Sequence, residues 1–213
     1  MIINQKTAQK TASLLLQIKA IKLNSENPFQ WASGWFSPIY CDNRVVLSHP
    51  SIRHYMCSEI VREIERESPK EYVIAGVASG AIGMGMLVAQ ALDAPFIYVR
   101  PEPKKHGKKN QIEGQLKPGQ KVLVIEDLIS TGKSSLNAVA ALKEAGADVT
   151  QMYALFTYGF ATAEESFKAA NMSLKTLCDY EHMLPEAVAQ NYISSSEVEF
   201  LQAWRKDPAN WGR

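Results

Sequence analysis

At 213 residues, with 46% hydrophobic residues and a formal net charge of +1, the chain is long enough for one domain of ordinary size holding a deep site. That composition excludes a disordered chain and a general polyanion-binding surface, so nucleic acid is not expected as a partner. Cys41, Cys57 and Cys178 lie far apart, with no C-x-x-C pair and no histidine at metal-ligand spacing, which reads as free thiols in a reducing cytoplasm.

The N-terminal stretch carries three leucines, Leu14 to Leu16, followed by Gln17 and Lys19, unlike a signal peptide or a membrane span; a cytoplasmic chain with no membrane partner is expected. Leu14, Leu15, Ile18 and Ile21 predict an amphipathic helix over residues 7–23. Next, PFQWASGWFSPIYCDNR has two aromatic-rich stretches separated by Ser33-Gly34, as in a hairpin. Ile52, Met56, Ile60 and Ile64 form an i, i+4 stripe that predicts a helix from Ser51 to Glu67, stopped by Ser68-Pro69.

A strand at Tyr72 to Val77, a small-residue loop at Ala78-Ser79-Gly80, a helix from Ile82 to Leu92 and a strand from Phe96 to Val99 follow. The polar segment 100–117 interrupts. A strand from Lys121 to Glu126, a loop from Asp127 to Lys133, a helix to Ala145 and a strand from Val149 to Phe156 complete the clear part. A helix near 164–170, a strand near 174–177 and one or two short helices are expected after it. Such alternation predicts an α/β fold with a central, mostly parallel sheet flanked by helices.

Chemistry concentrates at Val122 to Ser135 (VLVIEDLISTGKSS). Ligands of open parallel sheets bind beyond the carboxyl ends of strands, where Glu126-Asp127 fall. Ser130-Thr131-Gly132-Lys133-Ser134 then enters a helix, whose free amides suit a phosphate dianion. A nucleotide triphosphate loop would need glycine where Asp127 stands. A phosphate in the loop and sugar hydroxyls on the acids describe ribose 5-phosphate. Gly80, Gly83 and Gly85 are in the wrong order for a dinucleotide fingerprint and read as close packing and a turn. His49, His54 and His182 have no partners at catalytic spacing.

Val122 to Ser134 resembles the signature of type I phosphoribosyltransferases, which use phosphoribosyl pyrophosphate. The resemblance implies that Glu126 and Asp127 hold the ribose 2- and 3-hydroxyls, that Ser130, Thr131, Gly132, Lys133 and Ser134 bind the 5-phosphate, and that Leu128 and Ile129 also bind phosphoribosyl pyrophosphate. The motif R-x-x-x-K-x-H-G at Arg100, Lys104, His106 and Gly107 is similar to the catalytic loop of the orotate phosphoribosyltransferase family. There it reaches pyrophosphate across a dimer interface, so segment 100–110 is expected to serve a neighbouring site in a homodimer. ASGWFSPIY at residues 32–40 resembles that family's base-binding hairpin, and GVASG at residues 76–80 its pyrophosphate loop, which assigns Ala78 and Ser79 to pyrophosphate.

The resemblance implies orotate and phosphoribosyl pyrophosphate as substrates and a role in pyrimidine (UMP) synthesis. It also implies Mg²⁺ bridged by substrate without direct protein ligands, and Lys104, His106, Glu126 and Asp127 as catalytic residues. Three regions are expected within one compact domain: a hood over residues 1–48, a core over 49–160 and C-terminal elements over 161–213 completing sheet and hood. Some members place an arginine on the orotate carboxylate from the loop after the last core strand, but Tyr158-Gly159-Phe160 has none; Arg44, Ile39, Tyr40 and Ser130 are the base candidates instead. Pro101 and Ala32 stand where many members carry basic residues, so those two contacts do not carry over. A purine phosphoribosyltransferase, a regulator that binds phosphoribosyl pyrophosphate without catalysis, and a nucleotide-binding protein are the alternatives.

Overall fold

The computed structural model describes residues 2–31, 34–67, 71–102 and 111–211. Ala32, Ser33, the helix stop at Ser68-Pro69 and the catalytic-loop residues Lys104, His106 and Gly107 lie outside them.

Helix α1 (Gln5–Gln17) is capped by the Asn4 side chain, which accepts from Thr7 N–H at 2.8 Å. It ends earlier than the apolar spacing implied. Lys19 adopts a left-handed φ of 57°, and Ile21 opens strand β1 (Ile21–Leu23) instead of a further helical turn. Strands β2 (Phe29–Gln30) and β3 (Phe36–Ser37) pair antiparallel with Gly34 in their turn at φ +85°, so the aromatic hairpin is present. Strand β4 (Ile39–Cys41) returns antiparallel to β1, and a 3-10 turn over Asn43–Ser48 leads into α2 (Pro50–Glu67).

The remaining elements alternate: β5 (Val73–Val77), α3 (Ile82–Ala91), β6 (Phe96–Val99), β7 (Ile112–Glu113), β8 (Lys121–Ile129), α4 (Lys133–Glu144), β9 (Asp148–Thr157), α5 (Ala161–Ala169) and β10 (Ser173–Asp179), then α6 (Tyr180–Ala189) and α7 (Val198–Lys206). Among the described residues, six strands form one sheet in the order β10-β9-β8-β5-β6-β7, parallel except for β7. All five residues of β5 are buried, as expected of a strand covered on both faces. One core layer joins Leu15, Ile60, Met84, Ile125 and Trp204; the other joins Val124, Val139, Leu142, Met152 and Phe167 under α4 and α5. No helix among the described residues is long and apolar enough to cross a membrane.

Two differences from the sequence reading shape the site. Strand β7 arises inside the polar segment, because Ile112 and Glu113 complete the free edge of β6. Strand β8 runs on through the acidic pair to Ile129, since β9 continues to pair with it at Leu128↔Phe156 and Ile129↔Thr157; the expected loop from Asp127 therefore starts only at Ser130.

One ion-pair network ties α2 to β10. Glu63 is 5% exposed and accepts from Lys175 Nζ at 2.6 Å and Arg66 Nη2 at 2.7 Å, while Lys175 also reaches Glu67. Burial alone would raise the Glu63 pKa, but the hydrogen bonds from Arg66 and Lys175 hold it below the usual glutamate range. Stability from this carboxylate is complete above that range and lost as pH falls through the lower folded value. Lys175→Met should therefore cost about 1–2 kcal/mol at pH 7. Urea unfolding at pH 7 and pH 3.5 checks this, and the difference from the parent should shrink at the lower pH.

Candidate active site

The carboxyl ends of β5, β8 and β9 meet under the hairpin. Consecutive strand residues point to opposite faces, so Glu126 turns toward α4, where Ser135 Oγ donates to its Oε2 at 2.8 Å. Asp127 turns to the other layer, against Gly80. Glu126 Oε1 also accepts the Asp127 N–H at 3.0 Å, which draws the two carboxyls together. Glu126 is 4% exposed, whereas Asp127 stays partly open to the crevice, so the two acids are not an equal pair.

Burial, and then the Asp127 charge, pushes the Glu126 carboxyl well above its ordinary range. Burial raises Asp127 too, opposed by its hydrogen bonds and by Arg44. Glu126, the more enclosed of the two, is thus the harder to ionise.

A buried amide fixes this end of β8. Pairing with β5 stops at Gly76↔Ile125, so beyond it the strand has lost its neighbour on that side. Asn43, 2% exposed at the start of the 3-10 turn, donates from Nδ2 to the Asp127 carbonyl at 2.6 Å and accepts from the Cys41 thiol at 3.2 Å. The hood thereby supplies the partner that the sheet does not. Sequence reading gave Ser135 no role of its own and passed over Asn43, whose bond spans 84 residues.

After Ile129 the chain makes the loop Ser130 to Gly132. Gly132 caps α4 at φ +78°, and a Cβ there would lie 2.8 Å from the Phe167 ring, so both conformation and space call for glycine. The first-turn amides of α4, which have no helical acceptors, open beside the side chains of Lys133 and Ser134, both exposed. Leu128, Ser130 and Thr131 are half-buried around them, and Ile129 is buried.

Facing this loop, Ala78 and exposed Ser79 follow β5. The Ala78 amide donates to Val99 O at 2.8 Å and the Ala81 amide to Val77 O at 3.0 Å, which sets the turn. Gly80 has no room for a side chain, because a Cβ would sit 2.1 Å from Asp127 Oδ2. At the end of β6, the Arg100 amide donates to Gln111 O at 2.9 Å and Arg100 Nη1 lies 3.5 Å from Glu113 Oε1. The ends of the expected catalytic loop are thus clasped together at the sheet edge.

The hood is built on aromatic contacts. Trp31 packs on Tyr158 with centroids 4.9 Å apart and edge-on to Trp204 at 5.6 Å; Tyr158 stacks on Phe160 at 5.5 Å. Trp204 Nε1 donates to Phe36 O at 3.2 Å, so α7 closes the hood. Of the base candidates, Tyr40 and Arg44 are exposed. Ile39 is fully buried, its N–H donating to Ser37 Oγ at 3.2 Å and its carbonyl accepting from Trp31 Nε1 at 3.1 Å. Arg44 is engaged by Asp42 through Nε at 2.6 Å and Nη2 at 2.9 Å.

A cleft of about 960 Å³ between Tyr72, Pro95 and Pro118 lies at the amino ends of the strands and holds none of these groups. Strand polarity, not size, marks the site.

The chain is similar to known proteins over nearly its whole length. The model of the phosphoribosyl transferase domain matches residues 52–182. Orotate phosphoribosyltransferase of Phocaeicola vulgatus is 55% identical over 207 residues, covering 97% of this chain and 98% of that protein. The Listeria monocytogenes serotype 4b protein of the same name is 45% identical, covering 96% and 98%. The crystal structure of orotate phosphoribosyltransferase from Aeropyrum pernix superposes with a TM-score of 0.72 at 27% identity, covering 82% of this chain and 96% of that one. UMP synthase of Leishmania donovani gives a TM-score of 0.77 at 25% identity, covering 92% of this chain and 42% of that longer one. The domain match stops short of the hood, but the relatives run through it. Identity at that level over nearly the whole of both proteins places this chain in the orotate phosphoribosyltransferase family.

Proposed function

We propose that the chain transfers ribose 5-phosphate from phosphoribosyl pyrophosphate to orotate, giving orotidine 5-phosphate and pyrophosphate in pyrimidine synthesis. The observation that carries this reading is Asp127 at the end of β8, one short loop before the open amides of α4 and directly beneath an aromatic hood. A phosphate on Thr131 to Ser134 leaves the sugar hydroxyls at Asp127 and turns C1 toward the hood and the Ala78-Ser79 turn. As the C1–O bond to pyrophosphate breaks and the orotate nitrogen forms its bond to C1, positive charge gathers on the ribose. The Asp127 carboxylate faces that charge, and Glu126, fixed by Ser135, holds Asp127 in place.

Mg²⁺ suits this site as an ion carried by the substrate's own oxygens, with the part-open Asp127 carboxylate as the hard oxygen donor beside it. When bound, it neutralises charge on the departing pyrophosphate. Arg100, Lys104 and His106 supply further positive charge, in a homodimer whose 100–110 segments serve neighbouring sites. The three buried free thiols suit a cytoplasmic location.

Loss of orotate absorbance, with and without phosphoribosyl pyrophosphate and Mg²⁺, tests the reaction, with adenine and xanthine as rival acceptors. Turnover of a purine but not orotate would overturn the reading. Lys104→Ala should lower kcat about 10²-fold with an unchanged melting curve.

A further inference from the structure

Orotate differs from uracil by one carboxylate, and a site that reads this difference needs a cation near the base. The loop following β9 borders the phosphate loop directly: Tyr158 N–H donates to Ile129 O at 3.0 Å, and Gly159 N–H donates to Thr157 Oγ1 at 3.1 Å. At its centre Gly159 has a left-handed φ of +65° and no side chain, and the space its Cβ would enter already holds a guanidinium, Arg205 Nη1, at 2.9 Å. Arg205 arrives from α7, 46 residues further along the chain. Its neighbour Trp204 is the fully buried ring that closes the hood, so the arginine's backbone is as firmly placed as the hood.

The two ends of this guanidinium are not equivalent. Nη2 donates to Glu181 Oε1 at 2.7 Å, which aims the group, while Nη1 makes only a long 3.4 Å contact with Gly159 O. With 27% of its side chain exposed, Arg205 is shielded enough for a charge-assisted bond to count and open enough to be reached. Arg44, the cation favoured by its place in the sequence, is committed to Asp42 through two nitrogens and is 57% exposed.

We propose that Arg205 is the residue that recognises the orotate carboxylate, donating from Nη1, with Glu181 holding it in position. Helix α7 thus supplies the positive charge that the glycine loop lacks. This rests on the orotate reading above, and the two stand apart experimentally.

The test compares the parent enzyme with Arg205→Gln and Arg205→Lys. It measures KM for orotate, KM for phosphoribosyl pyrophosphate, the inhibition constant of uracil, and thermal unfolding. Arg205→Gln should raise KM for orotate at least about 30-fold, with KM for phosphoribosyl pyrophosphate and the uracil constant within about threefold of the parent. Arg205→Lys, which keeps charge and bulk but not the planar fork, should fall between the two. It carries the test should the glutamine variant fail to fold. An orotate KM within threefold of the parent in a folded variant would overturn the assignment. So would a uracil constant that rises in step with the orotate KM, which marks a structural brace. A parent enzyme that does not consume orotate at all would instead sink the proposed reaction.

Discussion

Gly80→Ala should lower kcat/KM by about 10²- to 10³-fold while leaving the melting temperature within about 3 °C of the parent. An added Cβ would sit 2.1 Å from Asp127 Oδ2 and 2.5 Å from its Cγ, so one of the two groups must move by about an ångström. The backbone of Asp127 is held on both sides, by Asn43 at its carbonyl and by Glu126 at its amide. The Ala78 to Ala81 turn is pinned to Val99 and Val77. What remains free is the Asp127 side chain, which swings away from the proposed sugar position. Gly80 does not adopt a left-handed backbone, so alanine brings no strain of its own and folding is spared. Steady-state kinetics paired with a thermal melt checks this. A kcat/KM within threefold of the parent would show that the Asp127 carboxylate has no need of its observed place.

Much of this architecture was legible because local pattern and tertiary demand agree. The Ile52, Met56, Ile60 and Ile64 stripe is buried as its spacing implied, and the strand at Phe96 to Val99 falls where the apolar run does. The turn into α4 was legible for the same reason, since Gly132 is fixed locally by a positive φ at a helix start. Errors came where a distant element decides the outcome. Ile21 continues a helical spacing yet pairs with Cys41 in a sheet, and Ile112 lies in a polar stretch yet completes the edge of β6. Asp127, read as the start of a loop, became strand because β9 continues beside it. Asn43 and Arg205 were hidden more deeply: each acts on a residue dozens of positions away, and nothing in the spacing of C-D-N-R or W-R-K betrays the partner.

Asp127→Asn and Glu126→Gln are matched isosteric changes to adjacent acids, and they should diverge. Asp127→Asn removes the charge proposed to face the ribose, and should lower kcat/KM by about 10³-fold. Glu126→Gln should cost far less activity, about tenfold, and should raise stability by about 1–2 kcal/mol at pH 8. The reason is that Glu126 is enclosed beside a second carboxyl, and its raised pKa makes ionisation unfavourable in the folded state. An acid raised in this way contributes stability at pH below its unfolded range and loses it as pH rises through the folded value. Glutamine does not titrate. It keeps both contacts, accepting from the Asp127 N–H and donating to Ser135 Oγ, where the Glu126 carboxyl accepts in the parent. The stability gained by Glu126→Gln should therefore grow from pH 5 to pH 8, which thermal melts across that range will show. A glutamine variant less stable than the parent at pH 8 would mean that Glu126 carries its charge in the folded protein. The two acids would then share the ribose as equals, whereas the enclosure of Glu126 and the openness of Asp127 call for one to hold the proton and the other the charge.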